Sequence, residues 1–109
     1  MSIISDKQDC LTVMVAFVCE PEQQKDLADK VRAYIKDFIS QQDGLISSHL
    51  HLSICKTRVV NYAQWKSMDH FKAFGVKAKT RPELPALLAF KPHAVFYKVD
   101  LSVEGELNN

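Results

Sequence analysis

Arg58-Val59-Val60-Asn61-Tyr62-Ala63-Gln64-Trp65 is a run rich in β-branched and aromatic residues, the composition of a strand. Side chains alternate across a strand, so Val59, Asn61, Ala63 and Trp65 point one way while Val60, Tyr62 and Gln64 point the other. The Asn61 face is otherwise apolar. An amide turned toward an apolar compartment costs about 1 to 3 kcal/mol unless it finds hydrogen-bond partners. Asn61 is therefore either a structural tie or a group that orients a ligand, and the rest of the chain has to separate the two.

Immediately upstream, Leu45 to Cys55 alternates as well, with Ile46, Ser48, Leu50, Leu52 and Ile54 on one face and Ser47, His49, His51 and Ser53 on the other. The short polar Lys56-Thr57 connection predicts a hairpin that makes these two strands antiparallel neighbours. Leu11 to Cys19 (LTVMVAFVC) has no helical period and reads as a central strand buried on both faces. Pro21 suits a first helical turn, with Glu20, Glu22 and Asp26 near the positive end of the dipole. Leu27, Val31, Ile35 and Phe38 then recur at helical spacing. Gln41-Gln42-Asp43-Gly44 ends that helix, Gly44 being the natural left-handed residue.

Downstream, Ser67 is an N-cap with Asp69 in the first turn, and Phe71, Phe74 and Ala78 give a second helix that ends around Arg81-Pro82. Pro82 to Lys91 reads as a short helix or turn closed by Pro92. Ala94 to Leu101 is the last strand, and the polar tail Ser102 to Asn109 lies outside the fold. The order β-α-β-β-α-β is an α+β, ferredoxin-like arrangement, an antiparallel sheet with helices on one face. Val60 and Tyr62 leave apolar groups on the other face, which needs a second layer. A second copy of the chain is the simplest cover. Such a homodimer stacks two sheets as a dimeric α+β barrel, with His49, His51, Tyr62 and Gln64 at the subunit interface.

With 109 residues, 47% hydrophobic and 25% charged, the chain reads as one globular domain spanning residues 1–109, its core between about 11 and 101. Fourteen basic and thirteen acidic residues leave a net charge of +1 without a basic stripe, so neither nucleic acid nor an anionic membrane is indicated as a partner. Met1 to Asp9 carries no export signal and no run approaches the ~20 apolar residues of a membrane span, so the cytoplasm is the expected location. Cys10, Cys19 and Cys55 are odd in number and widely spaced, the pattern of free thiols rather than a disulfide framework or zinc site.

The runs GLISSHLHLS and RVVNYAQWKS, the aromatic-rich helix after them and the closing AVFYKVD resemble the antibiotic biosynthesis monooxygenase family of dimeric α/β barrel proteins. The likeness extends from Leu11 to Asp100, and VVNYAQWKS is its most specific part. Asn61 makes it similar to the subset that oxidises polyketide phenols or anthrones to quinones with no metal or flavin. The resemblance implies that Asn61 and Trp65 form the catalytic pair, their N–H groups holding a substrate carbonyl and the oxygen species. Two tyrosines of the family pattern fall on Leu50 and Phe71, and its arginine has no clear match in Arg81-Pro82-Glu83-Leu84-Pro85. Haem-degrading relatives carry an asparagine on the first strand and a histidine on the second helix; here the first strand has no asparagine and His70 sits too early, which argues against haem degradation.

Oxygenation without a cofactor requires an electron-rich aromatic substrate, a dry cavity and donors for the anion, and amide and indole N–H groups are of that type. Leu50, Leu52, Phe71, Phe74, Leu84 and Leu88 are the expected pocket wall, although Phe71, Phe74, Leu84, Leu87 and Leu88 serve equally as plain core. Trp65 alone reads as a packing anchor between helix and sheet. His49 and His51 alternate on one face but lack a third ligand, so no metal site is expected. His70 and His93 read as solvated positions. Two readings stand: a homodimeric, cofactor-independent monooxygenase using O2 on a small aromatic phenol, quinol or anthrone, or a barrel that only binds a small hydrophobic ligand.

Overall fold

The computed structural model describes residues 10–105, so the reading of Met1 to Asp9 and of the last four residues lies outside the described residues. Four strands form one antiparallel sheet: β1 (Leu11–Val18), β2 (Leu45–Leu52), β3 (Arg58–Trp65) and β4 (His93–Tyr97), in the spatial order β2-β3-β1-β4. Three helices, α1 (Gln24–Asp37), α2 (Met68–Ala78) and α3 (Leu84–Leu88), complete the expected ferredoxin-like order. LTVMVAFV occupies a central position between β3 and β4, as its apolar composition requires.

Register decides which side chains share a face. Asn61 sits opposite Leu50 on β2 and Val15 on β1, and Ala63 sits opposite Ser48 and Val13. These residues, with Val59, Phe17 and Trp65, face the helices and build the core together with Leu27, Val31, Phe38 and Leu87. The far face carries Tyr62, which pairs with His49 and Met14, and Val60, which pairs with His51 and Ala16.

Helix α1 differs from its predicted face. Its buried side chains are Gln24, Leu27, Ala28, Val31 and Tyr34, whereas Ile35 is half-buried at the edge of the core. A face drawn through residues 24, 27, 31 and 34 follows the 3.6-residue period, and Tyr34 is on it. Pro21–Gln23 forms a 3-10 turn ahead of the helix, in which the Gln23 side-chain oxygen accepts from the Glu20 N–H at 2.9 Å. The Gln24 amide nitrogen donates to the carbonyls of Ser53 (2.9 Å) and Arg58 (3.0 Å), tying α1 to the turn between β2 and β3.

That turn is longer than two residues. The Ser53 hydroxyl accepts from the N–H groups of Thr57 (3.1 Å) and Arg58 (2.9 Å), which ends β2 at Leu52, and Lys56 takes a positive φ of 67°. At the other end of β2 an irregular register between Leu45 and Ser47 takes Ile46 out of the alternation, so Leu45 rather than Ile46 pairs with Trp65. Helix α2 stops at Ala78, before Arg81-Pro82, and β4 at Tyr97, before Leu101. Gly44 has φ +88°, and a Cβ there would lie 2.3 Å from the His70 ring; this residue precedes β2, after a 3-10 turn at Ile39–Gln41. No helix among the described residues is long and apolar enough to cross a membrane.

Candidate active site

A cavity of about 170 Å³ lies between sheet and helices. Val13, Val15, Asn61, Ala63 and Trp65 form its floor, and the helices supply Val31, Tyr34, Phe71, Phe74, Leu84, Leu87 and Leu88, with Pro92 at the approach to β4. The wall is apolar nearly throughout, so the few polar atoms that reach it set the chemistry. An apolar cavity of about 150 Å³ is large enough for benzene. This one has room for one aromatic ring.

Asn61 is buried, and its environment answers the question its position raises. Its side-chain oxygen accepts a hydrogen bond from the Ser48 hydroxyl at 2.6 Å, across the β2–β3 pair. The amide nitrogen bonds to no protein group among the described residues, and Asn61 is part of the cavity wall. One half of the amide is thus a structural tie, and the other half is left unbonded in a residue that lines the cavity. Trp65, 1% exposed, stands two pairs along the same strand face. Phe74 packs on its ring at 5.1 Å and Phe71 meets it edge-on at 5.7 Å, which fixes the indole plane. Its N–H likewise bonds to no protein acceptor among the described residues.

Ser67 caps α2, accepting from the His70 N–H at 3.2 Å, and so aims Phe71 and Phe74 at the floor of the cavity. His70 is taken up by that cap: its Nδ1 is 2.6 Å from the Ser67 hydroxyl and its Nε2 is 3.9 Å from Asp43. His93 is an exposed residue that begins β4. Arg81 pairs with Glu83 at 2.6 and 3.2 Å and lies 4.7 Å over the Phe38 ring. The bonds from Arg81 hold the Glu83 carboxyl below its usual range. Burial, with the Glu83 charge adding to it, pushes the Tyr34 phenol up to about 12, so it remains a protonated donor near neutral pH.

The residues taken from sequence divide clearly. Asn61, Trp65, Phe71, Phe74, Leu84 and Leu88 meet around one cavity. Leu50 packs against the core beside Asn61 without reaching the cavity, and Leu52, 46% exposed, sits at the open end of β2. Leu87, which the sequence leaves between core and pocket lining, is a wall residue of the cavity, and so is Tyr34, which the sequence reading of the pocket omits. For Tyr34 the available signal is its place on the inward face of α1.

His49, His51 and Tyr62 lie on the far face of the sheet, His51 exposed and the His49 ring 6.3 Å from that of Tyr62. Gln64 shares that face by register, but it is 0% exposed and donates to the Thr12 hydroxyl at 3.1 Å, so its side chain offers no surface to a partner. Among the described residues no three His, Cys, Asp or Glu side chains gather as metal ligands.

Residues 10–76 match the sequence profile of the antibiotic biosynthesis monooxygenase family. The tetracenomycin-F1 monooxygenase of Streptomyces glaucescens is 32% identical over 100 residues, 91% of this chain and 89% of the relative. Among solved structures, the ActVA-Orf6 monooxygenase of Streptomyces coelicolor in complex with nanaomycin D superimposes with a TM-score of 0.69 at 26% identity, over 90% of this chain and 93% of that one. SnoaB, a cofactor-independent oxygenase from Streptomyces nogalater, shares the fold, with a TM-score of 0.71 at 19% identity over 89% of this chain and 99% of that one. The chain belongs to the antibiotic biosynthesis monooxygenase family and is a monooxygenase.

Proposed function

We propose that this enzyme oxygenates a small aromatic phenol or anthrone to a quinone with O2 and without metal or flavin, and that Asn61 and Trp65 hold the reacting oxygens. The observation that carries this reading is the Ser48–Asn61 bond, which turns an otherwise unbonded amide nitrogen toward a dry aromatic-lined cavity beside the Trp65 indole. Donors placed this way stabilise a phenolate or enolate oxygen, and the electron-rich anion itself reduces O2. One oxygen atom becomes a carbonyl on the ring carbon that gives up its hydrogen. The other leaves as water, carrying that hydrogen and the phenolic one.

The tetracenomycin-F1 and ActVA-Orf6 relatives support a polycyclic aromatic substrate class. The cavity volume supports burial of one ring, the remainder of a larger substrate passing Leu88, which is 52% exposed, and Pro92. The working form is a homodimer. Tyr62 on the far face of the sheet, together with Val95 and Tyr97 on β4, supports a second copy packing there.

Oxygen uptake by metal- and flavin-free protein with an anthrone and naphthol panel is the direct test, with formation of the matching quinone as the expected result. Leu50 and Phe71, which carry no phenol, favour the second reading, a barrel that binds such aromatics without oxidising them. Ligand binding without oxygen uptake across the panel would establish that reading instead.

A further inference from the structure

The cavity holds a third polar group besides Asn61 and Trp65. Tyr34 comes from α1, on the helical wall that faces the sheet floor, and it is 7% exposed. Its ring is held by Phe38 at 5.4 Å, and Phe38 by Phe74 at 5.5 Å, so the phenol is fixed by the aromatic cluster that also fixes Trp65. A buried tyrosine hydroxyl ordinarily finds a hydrogen-bond partner. The hydroxyl of Tyr34 has none among the described residues, and its ring lines the cavity. An occupant of the cavity that Tyr34 lines, carrying an oxygen acceptor, would satisfy it.

We infer that Tyr34 contacts the substrate, donating a hydrogen bond to an oxygen on the ring edge opposite the one held by Asn61. This rests on the oxygenase reading only for the identity of the ligand; the contact itself follows from the cavity. Floor and helical wall then form two donor poles across an apolar slot. A quinone presents acceptors at two opposite edges and no donors. The arrangement thus selects aromatics that carry, or are acquiring, oxygens on opposite edges, with one oxygen already present and the other being installed. Because burial and the Glu83 charge keep Tyr34 protonated, it is suited to donating to such an oxygen and not to removing a proton.

The test is a ladder of three ligands of one size: naphthalene, 1-naphthol and 1,4-naphthoquinone, carrying no, one and two edge oxygens. Dissociation constants are measured by quenching of Trp65 fluorescence in Cys55→Ser protein, so that the exposed thiol cannot add to the quinone. The expected result is that Tyr34→Phe and Asn61→Ala each weaken naphthoquinone about five- to thirtyfold, the loss of one hydrogen bond. Naphthalene should change less than twofold in Tyr34→Phe, and 1-naphthol should respond to one of the two substitutions but not to both.

Naphthoquinone binding unchanged by Tyr34→Phe overturns the inference. So does an equal loss for all three ligands, which is a packing effect, or wild-type protein that binds all three equally or none. The two proposals separate cleanly. An intact ladder without oxygen uptake removes the oxygenase and keeps the Tyr34 contact, while oxygen uptake with a flat ladder does the reverse.

Discussion

The Ser48 hydroxyl donates to the Asn61 side-chain oxygen at 2.6 Å, joining neighbouring strands through side chains on the face that lines the cavity. Without this bond the amide could rotate and offer either end to a ligand. Ser48→Ala should therefore lower kcat about tenfold with little change in Tm, and Ser48→Thr should restore part of the loss. Asn61→Ala removes the donor itself and should cost roughly 10² to 10³ in kcat, the range of other oxyanion donors. Steady-state oxygen uptake on the three variants, with Tm from circular dichroism, checks the order.

Trp65 packs against Phe71 and Phe74 and carries an unbonded N–H, and Trp65→Phe separates packing from the proposed donor role. The ring contacts with Phe71 and Phe74 survive in large part, while the N–H is lost. A fall in kcat of about tenfold or more, with a correctly folded protein by near-ultraviolet dichroism, is the expected outcome. Full activity in this variant would reduce Trp65 to an anchor.

Gly44 combines φ +88° with a His70 ring that a Cβ would approach to 2.3 Å. Gly44→Ala should destabilise the protein by about 2 kcal/mol, which for a domain of this size is roughly 10 °C in Tm. His70 bonds to the α2 cap, so the same substitution should also disturb α2. Thermal unfolding reads the first effect and hydrogen exchange at the start of α2 reads the second.

Cys55 is exposed in the β2–β3 turn, and hydrogen bonding with Thr57 and Ser53 brings its thiol down to about 7. A lowered value means more thiolate at a given pH, so the rate of alkylation should rise through a midpoint near pH 7. Removing the Thr57 hydroxyl with Thr57→Val should move that midpoint upward. Cys10 and Cys19 are buried, and burial raises the Cys19 thiol further, so both should react only on unfolding. Mass spectrometry after timed iodoacetamide pulses distinguishes the three sites.

If two sheets stack face to face, light scattering at micromolar concentration should give twice the 12.4 kDa chain mass. Tyr97 is 43% exposed on the outward face of β4, and Tyr97→Glu should shift that equilibrium toward monomer. A wild-type monomer would leave the outer face without its proposed cover.

The sheet was legible in sequence because alternation is a strong signal: the β3 parity that put Asn61 and Trp65 on one face and Tyr62 on the other holds in the structure. Departures arise where a local bond overrides periodicity. The Ser53 hydroxyl captures two backbone N–H groups and cuts β2 short, leaving Leu52 at an exposed end, and the irregularity at Ile46 resets one step of the strand. Gln64 shows a different limit, since it is buried and donates to Thr12, a partner distant in sequence. On α1, apolarity favoured Ile35 over Tyr34 as the inward residue, although helical geometry places the phenol inside. The cavity was readable as a set of wall residues, but its volume depends on packing that no spacing rule supplies.

Gln24 gives the cavity its gauge. Its single amide nitrogen spans two carbonyls of the β2–β3 turn and so sets how far the start of α1 stands from the sheet. Tyr34 rides on that helix and Asn61 on that sheet, which makes the separation of the two donors a dimension written at the hairpin, outside the cavity. Relatives that change this residue or the length of the turn would be expected to grip aromatics of a different width with the same pair of strands beneath them.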